Sequence, residues 1–293
     1  MKKVALYLLL CLAAMTTQIR AQGAPPQLPP DVRALVESEQ AFSRASAERG
    51  MRAAFLAYLA DDGIIFRPAP LNGKKFWETN TGASGLLTWR PAYAHVSQSG
   101  DLGYTTGPYE FRAKSSQDAP ADYGNYVTIW RRQKSGAWKV AIDLGTSNPA
   151  PTEGAAVVDF PSVPKTAPSN SKTAARELGQ TERQFAAEAA ERGAGPAYSS
   201  HLAASPRILR PQMFPLVKPE EVRAFVSALP PSLTWSPSVV VVSRAGDLGY
   251  TYGTYEVRQG EKGSYVRLWR KESPQGWRIV LDIFNPTRPA KTP

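Results

Sequence analysis

Residues Gly100–Glu110 read Gly-Asp-Leu-Gly-Tyr-Thr-Thr-Gly-Pro-Tyr-Glu, and Gly246–Glu256 read Gly-Asp-Leu-Gly-Tyr-Thr-Tyr-Gly-Thr-Tyr-Glu, so two of eleven positions differ. A repeat of this quality decides the architecture before any single element is assigned. Working outward, Phe42 and Ala47–Gly50 match Phe185 and Ala190–Gly193, Arg67-Pro68 matches Arg210-Pro211, and Trp89 matches Trp235. Downstream, Tyr126–Arg131 matches Tyr265–Arg270, while Gly136, Trp138 and Asp143 match Gly276, Trp277 and Asp282. The order is kept throughout, and the reading is a tandem duplication of one unit of ordinary domain size.

Each copy opens helical. Val32, Leu35, Val36, Phe42 and Ala45 share one helix face that Gly50 ends, and Met51, Ala54, Phe55, Tyr58 and Leu59 form a second helix. Gly63–Arg67 reads as a short strand stopped by Pro68, and Pro219 starts a third helix in copy two. The remainder is strand: Tyr93–Gln98 with Gly103–Arg112, and Tyr126–Arg132 with Trp138–Leu144, form two hairpins around glycine turns. Helices first and antiparallel strands after predict an α+β fold, two tandem cone-shaped barrels with helices packed on a curved antiparallel sheet.

Outside the copies, Lys2 and Lys3 precede an apolar run from Val4 to Met15 and a polar stretch ending at Ala21. This is the layout of a secretory signal, too short to span a bilayer. The expected division is 1–21 signal peptide, 31–149 first domain, 150–171 proline-rich linker and 172–287 second domain, in an exported, periplasmic or secreted protein. The single cysteine, Cys11, leaves with the signal, which excludes disulfides and thiolate chemistry from the mature chain. The net charge of +10 comes from dispersed basic residues, three of them in the signal, so nucleic acid is not an expected partner and neither is a membrane after cleavage.

The order of elements, Gly-Asp-Leu-Gly-Tyr at the first hairpin and Tyr-x-x-x-Trp…Gly-x-Trp at the second resemble the ketosteroid-isomerase-like, or nuclear-transport-factor-2-like, superfamily. Exported SnoaL-like domains of unknown function look nearest. The resemblance covers both copies and implies a cone whose sheet encloses a pocket against the helices. It does not carry the isomerase mechanism over. The position of the family's catalytic aspartate holds Arg67 and Arg210, and that of its oxyanion tyrosine holds Ser43 and Ala186; a guanidinium cannot serve as a base near neutrality.

No nucleophile elbow, phosphate loop, dinucleotide fingerprint or metal-ligand spacing is present, so no cofactor and no metal is expected. His95 and His201 are not repeated; His201 reads as a partly exposed polar side chain, and Asp61-Asp62 as an acidic helix end. The expected ligand-binding residues are Arg67, Tyr58, Trp89 and Tyr109 in copy one and Arg210, Trp235 and Tyr255 in copy two. An inward arginine suits a carboxylate ligand, or else an internal ion pair with Glu110 or Asp143 and their counterparts Glu256 and Asp282. The favoured reading is an exported binder of a small, partly apolar and anionic molecule, with the halves docked as an intrachain pseudo-dimer. The alternatives are an isomerase, dehydratase or hydrolase using Asp62 with Tyr58, and a non-catalytic interaction module.

Overall fold

The structure is a computed structural model that describes residues 28–82, 84–151 and 169–287. The expected signal segment and nearly all of the proline-rich linker lie outside those residues. In the N-terminal half, α1 (Pro30–Arg49) and α2 (Met51–Tyr58) lead into β1 (Leu59–Phe66), β2 (Pro70–Asn72) and α3 (Gly73–Thr79). Then follow β3 (Leu86–Trp89), β4 (Tyr93–Val96), β5 (Leu102–Arg112), β6 (Asp122–Arg132) and β7 (Trp138–Asn148). The C-terminal half repeats the plan with α4 (Ser171–Arg192), α5 (Ala194–His201), β8 (Leu202–Leu209) and α6 (Pro219–Ser227). Its sheet is completed by β9 (Leu233–Val242), β10 (Leu248–Val257), β11 (Lys262–Glu272) and β12 (Gly276–Pro286).

The first sheet runs β2-β1-β7-β6-β5-β3 with β4 also on β5; the second runs β8-β12-β11-β10-β9. Both hairpins form where expected. One expectation is corrected: the sheets are not wholly antiparallel, because β1 runs parallel to β7 and β8 parallel to β12. The strand leaving α2 lies beside the last strand of its half; β8 is thereby the edge of the second sheet, whereas β1 carries the short antiparallel β2 outside it. Leu59, expected in the second helix, opens β1.

Strand alternation splits each sheet between two cores. On β6, Tyr126, Thr128 and Trp130 face the helices, where Trp130 joins Leu35, Phe42, Phe55 and Val140. Val127 and Ile129 face away, against Val266, Leu268, Leu281 and Ile283 of the other half. Helices, sheet, sheet and helices therefore stack in four layers, and the central strands are buried on both faces.

The repeated motif is legible in this frame. Gly100 and Gly246 both take φ +67°, in the left-handed region that favours glycine, and Gly103 lies so close to Leu35 that a Cβ would approach it to 2.8 Å. Tyr104 and Tyr250 enter the core between the sheets. The aspartates bind the opposite half: Asp247 accepts from the Gln98 amide at 2.8 Å, and Asp101 accepts from the Arg244 amide at 3.2 Å. His95 on β4 is buried beside this clasp, and burial pushes its pKa down to about 4, so it is neutral. Arg207 stacks over Tyr93 at 4.1 Å, and Asn285 donates to the Pro68 carbonyl at 2.7 Å.

Asp247 is nearly inaccessible and also accepts from Ser243 at 2.7 Å. Asp247→Ala is expected to lower stability to urea by about 1.5–3 kcal/mol, the value of a hydrogen bond to a charged group. Glu110→Ala, which removes an outward surface ion pair with Arg112, should change it by less than about 1 kcal/mol. Equal effects of the two would show that the clasp does not hold the halves together.

Candidate functional site

The two interiors carry the same frame and different contents. Glu39 on α1 and Glu182 on α4 each lie three residues before the matched phenylalanine, and both are inaccessible to solvent. Asp143 and Asp282 face the same interiors from the last strands. Between the two acids, β11 of the C-terminal half supplies Arg267, whereas β6 of the N-terminal half supplies Thr128 at the matched position.

In the C-terminal half Arg267 pairs with Glu182 at 2.6 Å and with Asp282 at 2.8 Å, all three without solvent exposure. Its guanidinium lies 4.0 Å from the Tyr265 ring centre, 4.4 Å from Trp235 and 4.8 Å from Phe185. Tyr265 donates to Glu182 at 2.9 Å and Tyr198 to Asp282 at 2.5 Å. Burial alone would push the Asp282 carboxyl up; Arg267, then Arg210, hold it below its ordinary value. Every charge has a partner, as a buried network requires.

The N-terminal interior has no such cation between its acids. Trp89 Nε1 donates to Glu39 Oε1 at 2.5 Å, Trp130 Nε1 donates to Oε2 at 2.7 Å, and Thr105 also donates to Oε2. Burial nevertheless pushes the Glu39 pKa up to about 7, and repulsion from Asp143 adds to it. Burial also raises Asp143 to about 6, against the pull of Arg67 and a 3.0 Å hydrogen bond from Thr128. Tyr126, the counterpart of Tyr265, is buried with its hydroxyl unpartnered.

The mouths differ too. Phe284 stacks on Tyr255 at 4.0 Å and lies 3.7 Å beneath the Arg210 guanidinium, which also reaches Asp282 at 3.3 Å. The matched position in the first half is Gly145, and the Tyr109 ring lies against it. Consequently Arg210, Trp235 and Tyr255 are buried, but Arg67 is exposed and Trp89, Tyr109 and Asp143 are partly exposed.

These placements sort the expected site residues. Trp89 and Tyr109 lie opposite each other on β3 and β5, Tyr109 donating to Asp122 at 2.9 Å, and the charge of Arg67 acts on both Tyr109 and Asp143. Arg210, Trp235 and Tyr255 belong to a closed network, so for Arg210 the internal ion pair replaces the expected ligand anchor. Tyr58 is not with the others: it stacks on Phe42 at 4.9 Å and lines a surface groove of about 610 Å³ beside Trp138 and Lys139. Asp61 and Asp62 are exposed on β1, not at a helix end, and pair with Lys74 and Arg131. That separates Asp62 from the interior and from Tyr58 as a working pair. His201 is buried rather than partly exposed, its Nδ1 3.0 Å from the Ala197 carbonyl. Ser43 latches β3 to α1, donating to the Trp89 carbonyl at 2.7 Å. Among the described residues no cluster suited to a metal ion occurs.

Glu39 and Thr128 are the interior positions that the sequence reading passed over. Their signals were present: a glutamate at a fixed distance from both matched phenylalanines, and a threonine opposite an arginine inside an otherwise matched strand.

Among solved structures the chain is similar to a ketosteroid isomerase-like protein from Erwinia carotovora, at 16% identity and TM-score 0.35, over 42% of this chain and 100% of that one. It is also similar to a nuclear-transport-factor-2-like superfamily protein from Salmonella enterica, at 16% and 0.33, over 42% and 95%. A nuclear-transport-factor-2-like protein of unknown function from Methylobacillus flagellatus matches at 14% and 0.34, over 42% and 100%. No protein-family model matches the chain, and the search of curated proteins returns no match either.

Two outcomes follow from the unequal interiors. Arg267→Met is expected to cost about 3–5 kcal/mol, because it strands two buried carboxylates; a loss below ~1 kcal/mol in urea denaturation would contradict the network. Glu39 and Asp143 have folded pKa values above their unfolded ones, so their contribution is fully present below about pH 4 and is lost as pH rises through 6 and 7. For Glu39 the loss is on the order of 3 kcal/mol. Glu39→Gln should flatten the fall in stability between pH 4.5 and 7, and an unchanged slope would remove Glu39 as its source.

Proposed function

We propose that the protein is an exported binder of a small, partly apolar molecule, and that its working pocket is the interior of the N-terminal half. The two halves are read as duplicated domains joined as a pseudo-dimer. The core between the sheets and the Asp101 and Asp247 clasp support this reading, and the Lys2–Ala21 pattern supports export. One observation carries the choice of pocket: Arg67, Trp89, Tyr109 and Asp143 are each more exposed than their counterparts, because Gly145 stands where Phe284 closes the other interior. The C-terminal half is then a closed partner that supplies the second sheet.

A proton-transfer reading is favoured by one feature, the Glu39 carboxyl held near 7 by burial, in the range that suits a general acid or base. Binding is preferred because three hydrogen bonds, from Trp89, Trp130 and Thr105, fix the Glu39 carboxylate as an acceptor.

Trp89 at the mouth provides the readout. Benzamide, a neutral aromatic amide, is expected to change tryptophan fluorescence saturably in the wild-type protein. Gly145→Phe, which restores the ring of the closed half, should keep the fold by circular dichroism and abolish the change. A wild type that never saturates, or a Gly145→Phe chain that binds equally well, would overturn the assignment of the pocket.

A further inference from the structure

Arg267 can be read as a ligand that the C-terminal half carries within its own chain. It is held by two carboxylates, Glu182 and Asp282, and by the faces of Phe185, Trp235 and Tyr265. These five holders have matched residues of the same type in the N-terminal half: Glu39, Asp143, Phe42, Trp89 and Tyr126. A sixth, Tyr198, whose hydroxyl accepts from Arg267 at 3.3 Å, is matched by Phe55, so the cation and one hydroxyl are missing. An anionic cage without a cation is an unfavourable thing to bury, and it persists where something else completes it.

We propose that the N-terminal interior receives a guanidinium- or amidinium-bearing aromatic molecule, its cation taking the place that Arg267 occupies in the other half. This rests on the pocket assignment above and adds the charge of the ligand. It replaces the anion expected from Arg67 alone, since Arg67 is an exposed side chain at the rim while both interior acids lie deeper.

Acceptor capacity remains for such a group. Each carboxylate oxygen can accept about two hydrogen bonds. Glu39 Oε1 accepts one, from Trp89, and Asp143 accepts from Thr128 through Oδ2 only. The Tyr126 hydroxyl, on the same face of β6 as Thr128, is buried without a partner, whereas Tyr265 donates to its glutamate in the occupied cage. A planar, delocalised cation is the species that can engage two carboxylates and stack on aromatic faces at once.

The test compares benzamidine, benzamide and benzoate, which share one ring and differ in charge, by tryptophan fluorescence and calorimetry on the full chain. Benzamidine is expected to bind at least about tenfold more tightly than benzamide, the scale of one charge-assisted hydrogen bond. Glu39→Gln and Asp143→Asn, both close in shape to the originals, should each remove that advantage, so that benzamidine binds the variant no more tightly than benzamide does. Thr128→Arg, which supplies the cation from the chain itself, should abolish benzamidine binding. Equal affinity for benzamidine and benzamide, or tighter binding of benzoate, would overturn the cationic ligand and leave the pocket standing. Failure of all three to bind would overturn both.

Discussion

A buried arginine must be surrounded by acceptors, and much of the C-terminal half is organised around meeting that demand. Glu182 comes from the first helix of that half, Asp282 from the last strand and Tyr198 from the short second helix. The guanidinium thus fastens two consecutive helices and the last strand at one point, without solvent exposure. Arg210 and Phe284 extend the same cluster to the mouth, where cation and ring lie face to face. Such a network fixes geometry more than it adds net stability, since desolvating the ions offsets much of their attraction.

Replacing one residue changes the character of the whole interior. With Thr128 in the arginine's place, Glu39 turns to the indoles of Trp89 and Trp130 for its hydrogen bonds, and the partly exposed Trp89 becomes part of the mouth. Both acids are then buried without the arginine, and burial makes each carboxyl hold its proton more tightly than in water. The loss of the ring at Gly145 has the complementary effect. Arg67 loses the aromatic face that covers Arg210 and lies in solvent, its Nη1 donating to the neighbouring Phe66 carbonyl at 2.9 Å.

The sequence announced the elements more plainly than the contents of the interiors. Helix faces and hairpins were visible because periodicity and turn glycines are local signals, and the Gly100–Glu110 repeat fixed where the copies align. The parallel closure of β1 on β7 leaves no local trace, because it depends on a partner about eighty residues away in the chain. Arg67 and Arg210 looked equivalent since their own neighbours match; what separates them is Gly145 against Phe284, on another strand. Glu39 was hidden for a related reason, as a glutamate on a helix ordinarily faces water, and only the rings packed around it show otherwise.

The pairing of a closed half with a half that carries unmatched acids has a physical logic. An interior with two carboxylates that lack the arginine is a liability for a folded unit of this size, whose stability margin is small. Here its sheet is buried on both faces, with Val127, Ile129, Ile142 and Leu144 packed against a neighbour whose own interior acids are paired with arginines. The free energy of that shared apolar layer belongs to both halves, so it can hold the N-terminal strands in place while the cage beneath them lacks its cation. A single copy facing water with that sheet would have to satisfy its acids by itself. The clasp then has a second consequence: because Asp101 and Asp247 each bind the backbone of the opposite turn, displacement of either hairpin disturbs both halves. Strands β5 and β10, which lead from those turns, also carry Tyr109 and Tyr255 at the two mouths. The partly exposed Tyr109 is thereby carried by the same strand that anchors the N-terminal half to the other.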